Sequence, residues 1–196
     1  MQSLIEILMT RFPKAVLSVQ VDTERSEVSI HVAAEHLLEL SRFLHDEPEA
    51  SFNHLTDICS VDYPEDQQRF EVVYHLHSLS RNRRIRLKAR LSEDNPTIAS
   101  VTPVWKGAEF LEREVYDMMG IRFAGHPDLR RILMPEDYDE GFPLRKDFPA
   151  EGRGWRSQFD FIPRLDEPPS ESSDSEIPES QKQVFRGGQD GPRSLR

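Results

Sequence analysis

Apolar residues at the start of the chain recur three and four positions apart. Leu4, Ile5, Leu8 and Phe12 share one side of a helical wheel and Pro13 follows, so the spacing predicts a short amphipathic helix. The period then changes to two. Val16, Ser18 and Gln20 alternate against Leu17, Val19 and Val21, and Val28, Ile30 and Val32 alternate with Ser29 and His31, which predicts a hairpin around Asp22 to Ser26. Leu37, Leu38, Leu40, Phe43 and Leu44 restore the helical period until Pro48, whose ring blocks continuation. Three extended runs follow, Phe52 to Val61, Phe70 to Leu79 and Arg84 to Leu91, the last two joined by the polar turn Ser80-Arg81-Asn82-Arg83.

Helix, two strands, helix, three strands is the order of a two-layer α+β domain. It predicts a mixed five-stranded sheet with both helices on one face. Polar residues alternate along several strands, which leaves the other face to water or a partner.

Beyond Asp94 the pattern changes. Pro96 and Pro103 interrupt regular structure before a helical segment from Gly107 to Met119, with Gly120 as its C-terminal stop. Phe110, Leu111, Val115, Met118 and Met119 make its predicted apolar side. Glu109, Glu112, Arg113 and Asp117 are expected to face away, with Glu109 and Arg113 at ion-pairing spacing. From Gly125 to Pro149, prolines every several residues forbid a long helix and remove ladder donors. Interleaved Leu, Ile, Met, Phe and Arg predict an extended arm docked over a surface. Beyond Arg164 the chain becomes acidic and rich in Ser and Pro, a composition expected to be disordered alone, before a basic end with Phe185. These shifts divide the chain into a sheet domain (1–93), a helix with a partner-wrapping arm (94–163) and a tail (164–196).

Composition narrows the function. Acidic side chains outnumber basic ones 35 to 25, for a formal net charge of -10, which repels a phosphate backbone and argues against nucleic acid as a partner. Cys59 is the only cysteine, so an internal disulfide, a thiolate cluster and a Cys-x-x-Cys redox pair are excluded. Met1-Gln2-Ser3-Leu4-Ile5-Glu6 lacks the basic and apolar regions of a signal peptide, and no stretch approaches the ~20 apolar residues of a membrane span. A soluble chain that meets a membrane only through partners is expected.

Few residue patterns in the chain carry chemistry. His75 and His77 lie two apart on one strand face, yet two ligands do not make a zinc site and nothing nearby in sequence supplies an obvious third. Glu112, Glu114 and Asp117 form a carboxylate cluster. No Glu-x-x-His accompanies it, and Arg113, Arg130, Arg131, Arg145 and Lys146 carry enough charge to pair with it, so ion pairing is preferred to catalysis. There is no phosphate-cradling glycine loop and no Gly-x-Ser-x-Gly elbow, and Cys59 sits in an apolar strand where an inert thiol is expected.

Two stretches carry a resemblance. Glu112-Arg113-Glu114-Val115-Tyr116-Asp117-Met118-Met119-Gly120-Ile121 and His126-Pro127-Asp128-Leu129-Arg130-Arg131-Ile132-Leu133 closely resemble the 30 kDa subunit family of proton-translocating NADH:quinone oxidoreductase, respiratory complex I. Pro143-Leu144-Arg145-Lys146-Asp147-Phe148-Pro149 is similar to the family's downstream block, and the resemblance covers residues 1–150. It implies a subunit of the hydrophilic arm that is not catalytic by itself. FMN, iron–sulfur clusters and quinone would be bound by partner subunits, with no cofactor or metal on this chain. The implied partners are the 49 kDa subunit and neighbouring iron–sulfur subunits, on the cytoplasmic side of a bacterial inner membrane or the matrix side of an organelle. Glu112, Arg113, Glu114, Asp117, His126, Arg130, Arg145, Lys146 and Asp147 are the expected partner-binding residues, with Leu129 to Phe148 wrapping the neighbour. Three alternatives remain at this point. One is the equivalent subunit of a membrane-bound hydrogenase or of a quinone reductase with another donor. The others are a free-standing metal-dependent hydrolase using His75, His77 and the Glu112 cluster, and a homo-oligomeric scaffold.

Overall fold

A computed structural model of the protein describes residues 2–22 and 27–154. The tip of the first hairpin and the acidic tail with its basic end lie outside the described residues. The elements run α1 (Gln2–Arg11), β1 (Val16–Asp22), β2 (Glu27–Val32), a 3-10 turn (Ala34–His36), α2 (Leu37–Asp46), β3 (His54–Asp62), β4 (Phe70–Ser78), β5 (Arg83–Leu91), β6 (Thr97–Ala99), α3 (Ala108–Met119) and β7 (Arg122–Ala124). The fold is the expected α+β arrangement.

The five-stranded sheet has the order β1-β2-β5-β4-β3. Hairpin partners are antiparallel, while β2 and β5, separated in sequence by α2, β3 and β4, pair in parallel and make the sheet mixed. Strand alternation splits it into two faces. Ile30, Val72, Tyr74, Leu76, Leu87 and Ala89 are buried in one core with Leu4 and Leu8 of α1 and Leu37, Leu40 and Leu44 of α2. Arg86, Lys88, Arg90, Glu71, His75 and His77 alternate with them and lie on the face away from the helices.

Three features depart from expectation. A two-stranded parallel sheet of β6 and β7 occupies a stretch expected to be irregular. Three-residue strands beside prolines are too short to display a period, and their pairing is with residues 25 positions away in the register Thr97 to Arg122. The core also crosses residue 93: Ile98, Val101, Trp105, Val115 and Phe123 join the same cluster as the sheet, with the Trp105 indole donating to Phe52 O at 3.0 Å. Finally, α3 does not turn three of its charges outward. Glu112, Arg113 and Asp117 are buried, whereas Phe110, expected on the apolar side, is 59% exposed.

Candidate functional site

Helix α3 is the hub of the signature region. Its final residue precedes Gly120, which takes φ +76° and donates to Tyr116 O, the left-handed termination that glycine permits without strain. A Cβ there would fall 2.5 Å from the Phe142 ring, so glycine also allows the downstream segment to lie against the helix end.

Two carboxylates on α3 are fully buried and do different work. Asp117 Oδ2 accepts three consecutive backbone N–H groups, from Ile132, Leu133 and Met134 at 3.0, 2.8 and 2.8 Å. Its Oδ1 receives Arg131 Nη1 at 2.6 Å. Burial alone would raise this carboxyl, but the Met134 N–H, the Arg131 guanidinium and the Ile132 and Leu133 N–H groups together hold it below the usual aspartate value. Glu112 meets no cation among the described residues. It accepts from the Ser100 hydroxyl at 2.7 Å and the Val101 N–H at 2.7 Å, and desolvation outweighs those bonds, pushing it up to about 7. The expected ion pairing therefore fails for Glu112, because its donors are neutral groups of the loop before α3.

Arg113, Arg145 and His126 of the signature donate to backbone carbonyls. Arg113 donates to Arg130 O and Arg131 O, at 3.2 and 2.9 Å, so it holds the arm instead of pairing with Glu109. Arg145 Nε donates to Met119 O at 2.7 Å while its guanidinium lies over the rings of Phe142 and Phe70. His126 Nδ1 accepts the Asp128 N–H at 3.0 Å, which leaves Nε2–H to donate to Glu109 O at 2.9 Å. Arg130 pairs with Asp128 at an exposed position, and the Glu114 side chain is exposed. Lys146 contributes its backbone N–H to Asp62 Oδ2 at 2.8 Å, with the side chain exposed.

Asp147 leads to a second anchor. It accepts from Arg69, a buried cation that also binds Asp62 through Nε and Nη2 at 2.7 and 2.9 Å and Glu93 at 2.5 Å. The Arg69 hydrogen bond holds both Asp62 and Asp147 below the ordinary carboxylate value. Sequence reasoning missed Asp62 and Arg69. Asp62 ends β3 and Arg69 immediately precedes β4, seven positions on with no local motif, and the β3–β4 pairing brings them together.

The arm is thus gripped by its own polypeptide at two points, α3 and the Arg69 cluster. Its Leu133 and Leu144 side chains remain 58% and 61% exposed.

The open face of the sheet carries a separate group. A groove of about 1140 Å³ is lined by His54, Asp57, His75, His77, Arg84 and Arg86, among others. Asp57 stands opposite His75 in the β3–β4 register, and Cys59 Sγ lies 3.9 Å from His75 Nε2, so the register supplies third-ligand candidates invisible along the sequence. His75 and His77 are on the opposite side of the sheet from Glu112, which acts on the buried Tyr74 from the core side. A hydrolase centre combining them is therefore ruled out by the sheet itself. Among the described residues no helix is long and apolar enough to cross a membrane.

Comparison with known proteins agrees with this geometry. Residues 30–154 match the family model described as respiratory-chain NADH dehydrogenase, 30 Kd subunit. The C subunit of the NADH-quinone oxidoreductase of Roseiflexus sp. (strain RS-1) is 48% identical over 147 residues, 75% of this protein and 83% of that one. The corresponding subunit of Roseiflexus castenholzii is 52% identical over 125 residues, 64% and 71% of the two proteins. Among solved structures, a trypsin-resistant fragment of Nqo5 is 30% identical, with a TM-score of 0.55, covering 66% of this protein and all of that fragment. One polypeptide of an archaeal membrane-bound sulfane sulfur reductase shares the fold at 24% identity, with a TM-score of 0.67 over 85% of this protein and 95% of that one. The helix that anchors a proline-set arm through a buried carboxylate, the mixed sheet beneath it and the matched residues 30–154 lead to one conclusion: the protein belongs to the 30 kDa subunit family of the respiratory-chain NADH dehydrogenase.

Proposed function

We propose that the protein is a non-catalytic scaffold subunit in the hydrophilic arm of an NADH:quinone oxidoreductase, holding cluster-bearing neighbours at electron-transfer spacing. In this reading FMN, the iron–sulfur clusters and quinone reside on partner subunits. The protein is peripheral, on the cytoplasmic side of a bacterial membrane or the matrix side of an organelle, and its main partner is the 49 kDa subunit.

The observation that carries the proposal is the use made of the signature charges. Asp117, Arg113, Arg145 and Asp147 fix the arm to its own polypeptide, while Ile132, Leu133 and Leu144 project outward. A loop held rigid with apolar side chains outward is preorganised for docking, since its ordering entropy is already lost before the partner arrives. The partner-binding set then divides. Glu114, Arg130 and Lys146, whose side chains are exposed, touch the neighbour directly; Arg113, Asp117, His126, Arg145 and Asp147 act by shaping the arm, and Glu112 acts by fixing the loop before α3 to the helix.

The test is a pair of variants. Leu133→Asp with Leu144→Asp should leave the melting temperature of the isolated protein unchanged and lower the amount of assembled complex, with normal turnover per assembled complex. Arg113→Ala should lower assembly by loosening the arm. Full assembly with slowed turnover would oppose the scaffold reading. A second reading, the equivalent subunit of a related membrane-bound assembly with another electron donor, draws support from the fold shared with the sulfane sulfur reductase polypeptide. The subunits recovered with the tagged protein from a mild detergent extract separate the two.

A further inference from the structure

The open face of the sheet brings together three metal-ligating side chains of three kinds. Asp57 and Cys59 lie two apart on β3, so they share a face, and the antiparallel register sets His75 of β4 directly opposite Asp57 and diagonally across from Cys59. One donor atom from each falls within 4.8 Å of the other two. We propose that Asp57, Cys59 and His75 form a binding site for a borderline divalent ion of the Zn²⁺ type, with the fourth position open to water.

Four observations support the site. A tetrahedral ion with bonds of about 2.3 Å to sulfur and about 2.0 Å to nitrogen separates those donors by roughly 3.5 Å. The 3.9 Å between Cys59 Sγ and His75 Nε2 needs only a small side-chain rotation to reach it. The charges also close, because one thiolate and one carboxylate neutralise a divalent cation within the ligand set. The donor set is selective: sulfur and imidazole favour Zn²⁺ over Ca²⁺ or Mg²⁺, which take oxygen ligands. Lastly, Asp57 and His75 line the groove described above, which gives an entry path from solvent.

Burial keeps His75 neutral by lowering its pKa, the form that ligates. Burial, then Asp57 and Glu71, raise the Cys59 thiol, so the metal-free cysteine stays protonated and gives up its proton to solvent when the ion binds. The site is independent of the arm, which is anchored at α3 and at Arg69, and of the scaffold reading.

The experiment is titration of the purified full-length protein with Co²⁺ and Zn²⁺. Co²⁺ should produce a sulfur-to-metal charge-transfer band in the near ultraviolet that saturates at one ion per protein molecule. Cys59→Ser should abolish the band, His75→Asn and Asp57→Asn should each weaken binding by about tenfold or more, and His77→Asn should leave it unchanged. Zn²⁺ should raise the melting temperature of the parent protein but not of Cys59→Ser, whose metal-free melting temperature checks that it is folded. The absence of a charge-transfer band, or a band of parental affinity in both His75→Asn and Asp57→Asn, would overturn the proposal, the latter by reducing the site to an isolated thiol.

Discussion

Replacing Asp117 with Asn changes one atom of a fully buried side chain and should release the arm. The carboxylate takes four donors: Arg131 on one oxygen and the N–H groups of Ile132, Leu133 and Met134 on the other. An Asn amide has one accepting oxygen and one NH₂ group. Whichever way it turns, its NH₂ faces either the guanidinium or the three backbone donors. Each charge-assisted bond contributes about 1.5–3 kcal/mol, and removing one member of a buried, hydrogen-bonded pair costs about 3–5 kcal/mol. At least part of that cost falls on local opening of residues 130–134, because the lost bonds end there. A loss of about 3 kcal/mol corresponds to roughly a hundredfold faster exchange where exchange proceeds through that opening. Native-state hydrogen exchange at the Ile132, Leu133 and Met134 amides reads this directly, and trypsin cleavage after Arg130 and Arg131 should accelerate in parallel. Unchanged protection at these three amides in Asp117→Asn would refute the claim that this carboxylate holds the arm. The pH sign follows from the lowered pKa: the contribution of Asp117 is present above its unfolded value of 3.8 and is lost as pH falls through the folded value.

Other perturbations test the remaining anchors. Glu112 behaves oppositely to Asp117, since its folded value of about 7 exceeds the unfolded 4.5; its contribution is full below pH 4.5 and is lost as pH rises through about 7, by ~3 kcal/mol. Urea unfolding at pH 5 and pH 8 should show this decline in the parent protein and lack it in Glu112→Gln, and equal declines would sink the assignment. Gly120→Ala forces alanine to φ +76° with its Cβ 2.5 Å from Phe142, and thermal melts should show a loss of about 1–3 kcal/mol. Arg69→Met leaves buried Asp62 without its cation and should cost about 3–5 kcal/mol, with part of the loss recovered in the double variant that also carries Asp62→Asn.

How much of this was legible in the sequence depends on the range of the signal. The alternation of Val28, Ile30 and Val32 and the helical spacing of Leu37, Leu40 and Leu44 are local statements about which side of an element meets apolar matter, and the structure buries those side chains together. Pro48 and Gly120 end their helices for equally local reasons, a ring that blocks the next turn and a residue without a Cβ. The family signature was legible in the same way, as a run of residues. The same local logic misplaced Glu112, Arg113 and Asp117, because a charged residue is normally cheapest in water.

Only the tertiary structure decided that those charges lie inside. Burying a carboxylate requires donors, and the donors of Asp117 come from residues 131–134 while those of Glu112 come from Ser100 and Val101. No periodicity in α3 announces them. The β3–β4 pairing likewise set Asp57 and Cys59 beside His75, and brought Arg69, just before β4, beside Asp62, in one hairpin whose pairing is a property of the whole sheet. The sequence by itself determined the three helices, the five strands of the main sheet, their order and the family, since these follow from short-range patterning, whereas the short β6–β7 pair does not. Which polar groups meet, and hence what the arm and the open sheet face can hold, was settled by long-range pairing of hydrogen-bond donors and acceptors that must be satisfied once they leave water.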